Sequence, residues 1–448
     1  MRARVGDRAI VLGGSMAGLL AARVLSEAYA EVMVIDRDQL HGVTGPRRGT
    51  PQGYHAHALL ARGQQVLEEL FPGLTGELEA ADMPMIDMGM MHWYLDGERL
   101  ASARTGLVVV STTRPTLEFH VRRRVEGLAN VRFMTGFDIL GPVASADRSR
   151  ITGVRVYDNG EAAERLYDAD LVVDTTGRGS RTPVWLDELG YGRPAEDRVK
   201  IDLSYSTCNF HLRESPLEDR LSIISLGTPN YPTGAFFGCV GGDRYALSLT
   251  RMLGAVPPAD LASFRDAAAE LSTSRIHEAI KDAMPEEPPV VMRFPASVRR
   301  RYERMPGFPE RMIVLGDGLC SFNPIYGQGM TVAALESLAL REMLSEGRAP
   351  QPLRFLEAAA SIVDAPWAIA AGGDLAWPDV QGERTPEVEQ ANAYMGRLQL
   401  AARSDGRITA AFMRAAGLIE PPESLFAPEI SALVDRYVPA HAPTGQAS

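Results

Sequence analysis

Lysine is nearly absent from this 448-residue chain: Lys200 and Lys281 are the two present, so arginine carries almost all the positive charge. Cysteine is scarce as well. Cys208, Cys239 and Cys320 are too few and too scattered for a disulfide framework or a metal site, which leaves buried neutral thiols in a reducing compartment. No run of about 18 uninterrupted apolar residues occurs, so no membrane span is expected. The net charge of −11 argues against a nucleic-acid partner. Internal repeats and low-complexity tracts are missing too. The N-terminal apolar run is broken by glycines that have another use, so no cleavable leader is expected and a cytoplasmic location is. What is present is ordinary for a soluble globular protein: 45% apolar and 23% charged residues, in a chain long enough for two or three domains.

The N-terminal stretch carries the first signal. Ala9-Ile10-Val11-Leu12 reads as a buried parallel strand. Gly13-Gly14-Ser15-Met16-Ala17-Gly18 follows as a glycine-rich turn, then a helix over Leu19 to about Ala28, then a second apolar run, Val32 to Ile35, ending in Asp36. This is the strand–turn–helix–strand unit that holds the ADP half of a dinucleotide. Glycines let backbone approach the pyrophosphate, the helix N-terminus faces its charge, and the closing acid accepts a ribose hydroxyl. Ser15 replaces the middle glycine with a small hydroxyl donor. The competing reading is a glycine-rich turn in some other α/β unit.

Further along, Arg47 and Arg48 sit in a basic loop, where they either reach an anion or stay solvated. A helix is expected from about His55 to Leu70, on which His55 and His57 cannot share a face, so no metal site is expected. His55 is a flavin- or substrate-facing candidate or a structural histidine. Met83 to Met91 is methionine-rich and suits an adaptable apolar pocket or plain core packing. Arg114 precedes a helix opened by Pro115. A buried strand ends at Asp174, followed by Thr175-Thr176-Gly177-Arg178-Gly179-Ser180-Arg181. Short β-like runs fill residues 199–252 and suggest an antiparallel sheet walling a substrate cavity. The tail, 351–438, reads as amphipathic helix broken at Pro366, Gly372-Gly373, Pro378 and Pro421-Pro422.

A late stretch decides the reading. A strand ending Val314-Leu315-Gly316-Asp317 leads through Pro324 and Tyr326 to Gly327-Gln328-Gly329-Met330 at the start of a helix running to about Ser345. Asp317 can accept from a ribityl hydroxyl, and Gly327 and Gly329 let backbone amides face a flavin pyrimidine. Pro324 stiffens the wall beside the ring. With these three motifs in this order, the chain resembles the FAD-dependent monooxygenases of the p-hydroxybenzoate hydroxylase type over about residues 8–340. Gly327 to Ala333 is similar to squalene epoxidase. The run Pro51 to Leu60, with Trp367 and Asp374-Leu375-Ala376-Trp377-Pro378, looks like the bacterial polyether-type epoxidases. Met330 stands where aromatic hydroxylases of the family carry asparagine, and Thr176-Gly177-Arg178-Gly179 where they carry Asp-Gly; both departures point away from a phenolic substrate. Related halogenases need a catalytic lysine, and none precedes Lys200.

The resemblance implies an α/β fold: a discontinuous Rossmann-like FAD-binding domain (1–75, 101–185 and 295–345), an inserted antiparallel-sheet substrate domain (76–100 and 186–294) and a helical C-terminal region (346–448). It implies FAD held by Gly13, Ser15, Met16, Ala17, Gly18, Asp36, Arg37, Arg114, Gly316, Asp317, Pro324, Gly327, Gln328, Gly329 and Met330. Pro324, Tyr326 and His55 are the flavin-adjacent candidates, no catalytic side chain is identified, and no metal is expected. The implied reaction inserts one oxygen atom from O2, through a flavin C4a-hydroperoxide, into an apolar polyketide- or terpenoid-like substrate of secondary metabolism, by epoxidation or hydroxylation. NAD(P)H serves as electron donor, directly or through a partner flavin reductase, since no second dinucleotide fingerprint is apparent. A flavin-dependent reductase or dehydrogenase of isoprenoid-like substrates and a non-catalytic flavin- or ligand-binding protein remain open alternatives.

Overall fold

In the computed structural model, which describes residues 4–217 and 221–438, the fold is mixed α/β. A five-stranded sheet has the order Met312–Val314, Leu171–Asp174, Gly6–Leu12, Tyr29–Asp36, Val131–Thr135, and every pairing within it is parallel. Its central strands are continuous apolar runs because helices and a three-stranded antiparallel sheet, Phe137–Ala144, Ile151–Asp158 and Ala163–Asp168, pack over it, the latter adding Ile151, Val154 and Val156 to the same core. Ile10, Val11, Val34, Val172 and Ile313 have no exposed surface. The register aligns Leu12 with both Ile35 and Asp174, and Asp174 with Val314. The turns that follow these strands therefore open along one carboxyl edge of the sheet, where α/β folds place their ligands.

The strand, turn and helix predicted around Gly13–Gly18 are present, with the helix at Met16–Leu25, one turn earlier than expected. The late helix spans Gly329–Ser345 and packs across Met16–Leu25 and Ala61–Leu70. The Pro352–Trp367 helix packs on it in turn. By length and composition alone, the stretch Pro352–Gly372 could cross a membrane. Phe355, Leu356 and Ala359 instead join the core beside the parallel sheet.

An eight-stranded sheet forms the second layer. Its order is Cys320–Ser321, Val290–Arg300, Glu196–His211, Arg244–Arg251, Thr233–Gly241, Ile223–Ser225, His92–Leu95, Glu98–Arg99. All its pairings are antiparallel except that of Ile223–Ser225 with His92–Leu95. The helices Pro386–Ala402, Gly406–Ala416 and Pro428–Tyr437 close the far side, sharing a core with Ile86, Met88, Met91 and Val109. Cys208, Cys239 and Cys320 are buried, and no disulfide joins them among the described residues.

Two local expectations fail. The segment at His55 is not helical: a short 3-10 turn, Pro51–Tyr54, leads into the strand Ala56–Leu59, and the helix starts at Ala61. Pairing with Val108–Thr113 overrides the local helical pattern. Nor does Pro366 break the tail helix. It lies inside Pro352–Trp367, which continues through a π-turn, Ala368–Gly372, where the wider winding relieves the ladder that proline interrupts.

Candidate functional site

One large cavity of about 1440 Å³ lies between the carboxyl edge of the parallel sheet, the eight-stranded sheet and the C-terminal helices. Its volume exceeds the roughly 300–1,000 Å³ of a pocket for a single small ligand. Ser15, Met16, Ala17, Arg37, His55, Arg114, Gly316, Asp317, Pro324, Tyr326, Gly327, Gln328, Gly329 and Met330 all line it. The sequence candidates, drawn from positions more than 300 residues apart, thus converge. Gly13, Gly18 and Asp36 do not line it but build the turn behind the wall.

That turn is tight. Gly13 takes a φ of +102°, and a Cβ at Gly18 would lie 1.8 Å from the Gly13 carbonyl oxygen. Asp36 accepts the Gly14 amide at 2.7 Å and the Asp38 amide at 2.8 Å, so its carboxylate already holds two protein donors. Ser15 caps the helix by position without a side-chain bond to it. Its hydroxyl instead donates to Glu118 Oε2 at 2.7 Å and accepts from Arg114 Nη2 at 2.8 Å.

Behind Ser15 lies a buried ion network that sequence reasoning missed. Arg47 binds both Glu118 and Asp38, and Arg122 Nη1 reaches Glu118 at 3.4 Å. Arg47 is therefore neither an anion-binding nor a solvated loop residue, whereas its neighbour Arg48 is exposed. One signal was available: Arg114, Glu118 and Arg122 are spaced four apart on one helix. The Arg47 partner, 71 residues away, has no such signature. The middle motif is structural at its root. Asp174, with no exposed surface, accepts from the Thr176 amide and from the Thr176, Ser180 and Thr182 hydroxyls, folding the turn whose Thr175–Gly179 face the cavity.

The late motif sets a second helix N-terminus against the same space. Gly316 takes a φ of +76°, where a Cβ would come within 2.9 Å of the Ala17 methyl, so the two motifs abut. No protein donor reaches the Asp317 carboxylate among the described residues. Burial raises its pKa, and Arg114 and Arg178 oppose the shift. Beneath it, Glu336 accepts the Gly316 amide at 2.6 Å. Gln328 is buried, yet neither amide atom has a partner among the described residues. A free acid, an unpartnered amide and two helix N-termini around one cavity fit a dinucleotide with a polar ring.

His55 lies across the cavity on the sheet side. Its Nδ1 pairs with Thr207 Oγ1 at 2.8 Å, its ring packs edge-on against Tyr205, and burial lowers its pKa to about 4. It is a neutral imidazole at pH 7. His57 is also held neutral, at about 3, by burial and then Arg114. Beyond them the walls turn apolar: Met88, Met91, Trp93, Phe236, Met395 and Phe412 all face the cavity. The methionine-rich segment thus serves both the cavity and the core.

The sequence matches no family model. It is 33% identical to protein Rv3254 of Mycobacterium tuberculosis over 437 residues, covering 94% of this chain and 92% of the relative. Among solved structures, a flavoprotein/dehydrogenase from Cytophaga hutchinsonii superposes with a TM-score of 0.68 at 11% identity, covering 95% of this chain and 96% of that one. PqsL, a probable FAD-dependent monooxygenase from Pseudomonas aeruginosa, gives 0.59 at 18% identity over 90% of this chain and 98% of its own. The p-nitrophenol 4-monooxygenase PnpA from Pseudomonas putida gives 0.64 at 14% identity, covering 92% and 99%. At these identities the structural likeness is one of fold.

Proposed function

We propose that this chain, which belongs to the family of protein Rv3254, is a FAD-dependent monooxygenase that adds one oxygen atom from O2 to an apolar, polyketide- or terpenoid-like substrate. One observation carries the reading: two helix N-termini, the unpartnered Asp317 and an apolar gallery share a single cavity large enough for cofactor and substrate together. When bound, FAD supplies electron transfer and the activation of dioxygen. The electrons come from NAD(P)H, directly or through a reductase.

The chain's own residues then bind, orient and exclude water. The amides of the Ser15–Ala17 turn would face the pyrophosphate, and Arg114, anchored on Ser15, and Arg37 would add positive charge beside it. Asp317 would accept a ribityl hydroxyl. The Gly327–Gly329 amides and the Gln328 side chain would hold the polar edge of the ring, where the helix dipole favours negative charge. Pro324 and Tyr326 would wall the ring from the gallery. Met91, Trp93, Phe236 and Phe412 keep that gallery dry, which protects the reduced cofactor from wasteful side reactions.

Mass spectrometry of product formed under labelled O2, with candidate polyketide and terpenoid substrates and NAD(P)H, tests the reading. One labelled oxygen atom per product is expected. An unlabelled or saturated product would move the chain to the reductases.

A further inference from the structure

At the gallery end of the cavity, one carboxyl has an unfilled valence for hydrogen bonding. Asp374 follows the π-turn, Ala368–Gly372, lines the cavity, and is 1% exposed. Its Oδ1 accepts from Asn323 Nδ2 at 2.8 Å and from the Tyr326 hydroxyl at 3.2 Å. Its Oδ2 is buried with no partner among the described residues. The holders are themselves fixed. Asn323 has no exposed surface, donates its backbone amide to Ser297 Oγ at 3.0 Å, and accepts the Ile325 amide through its side chain. A Cβ at Gly373 would sit 2.7 Å from the Tyr326 hydroxyl, so glycine makes room for the contact.

We propose that Asp374, oriented by Asn323 and Tyr326, binds a hydroxyl group of an otherwise apolar substrate through Oδ2. The inference rests on the monooxygenase reading and adds to it a specificity-determining residue and a substrate class: hydroxylated apolar molecules rather than pure hydrocarbons. A buried carboxyl oxygen is costly to leave without a partner, and no described residue, the cavity-lining Trp367 and Trp377 included, supplies one. Burial raises its pKa to about 7, against the two hydrogen bonds. Below that pH the protonated acid both donates and accepts; above it the carboxylate accepts more strongly. Either form matches a hydroxyl.

The test uses the FAD-loaded protein and two probes of equal shape, 2-naphthol and 2-methylnaphthalene, with binding followed by fluorescence. The wild type should prefer 2-naphthol by roughly ten- to hundredfold, the range for a hydrogen bond to a charged group. Asp374→Asn, which keeps the volume, should cut that preference at least tenfold while 2-methylnaphthalene affinity and FAD binding stay unchanged. A residue that only props the loop would lower both affinities together and leave their ratio intact. Equal wild-type affinities for the two probes, or an undiminished preference in Asp374→Asn, would overturn the inference. Failure of the wild type to bind FAD at all would instead remove the monooxygenase reading.

Discussion

Glu336 offers a clean perturbation beneath the proposed flavin site. It lies on the Gly329–Ser345 helix with no exposed surface, one oxygen accepting the Gly316 amide and the other, Oε1, without a partner among the described residues. Burial, opposed by that amide and reinforced by Asp317, pushes its pKa from 4.5 to about 8. Between those values the folded state keeps a proton that the unfolded chain releases, so stability falls as pH rises; below both, the group adds no pH dependence. The loss reaches at most ~5 kcal/mol near pH 8, and about 3 kcal/mol near pH 7. Glu336→Gln keeps the acceptor for Gly316 but cannot ionise. Parent and variant should therefore melt together near pH 5 and separate above it, with the variant the more stable. For a chain of this length one kcal/mol moves the midpoint by about 1 °C, so calorimetry should show a gap growing to about 3 °C near pH 7. Parallel curves from about pH 5 to about pH 8 would refute the proton's placement.

The remaining perturbations separate structural from ligand-facing roles. Arg47→Ala removes the buried cation that Glu118 and Asp38 share, leaving Arg122 to hold Glu118, and should cost about 3–5 kcal/mol in denaturant unfolding. Arg48→Ala, at an exposed position, should stay within about 0.5 kcal/mol, and equal effects would contradict the network. Gly396 lines the cavity on the Pro386–Ala402 helix, and nothing lies within 4 Å of an added Cβ. Gly396→Phe should leave FAD binding and melting intact yet weaken 2-naphthol at least tenfold; unaltered naphthol affinity would put the substrate elsewhere.

What was legible in the sequence was local. Gly13–Gly18, Asp36, Gly316-Asp317 and Gly327–Gly329 each declare a turn or a strand end within a few residues, and parallel pairing then brings three of these turns to one sheet edge. The contacts that adapt the site were not legible because they span the chain. Ser15 finds Glu118 across 103 residues, His55 finds Thr207 across 152, and Asp374 finds Asn323 across 51. His55 also shows tertiary pairing overruling local propensity, since its segment follows the strand Val108–Thr113 rather than its own helical pattern. Asp36 carries a different lesson. Its place at the strand end was readable, but its engagement by the Gly14 and Asp38 amides depends on the exact path of two turns.

The central claim is that this cavity is built around FAD, and the direct measurement is a titration of flavin-free protein with FAD, read by flavin fluorescence and the visible spectrum. Saturation at one FAD per chain is expected. So is loss of binding in Gly18→Ala, whose methyl would collide with the Gly13 carbonyl 1.8 Å away and open the pyrophosphate turn. A protein that stays colourless and shows no saturable FAD binding, or a Gly18→Ala variant that binds as tightly as the parent, would contradict that claim.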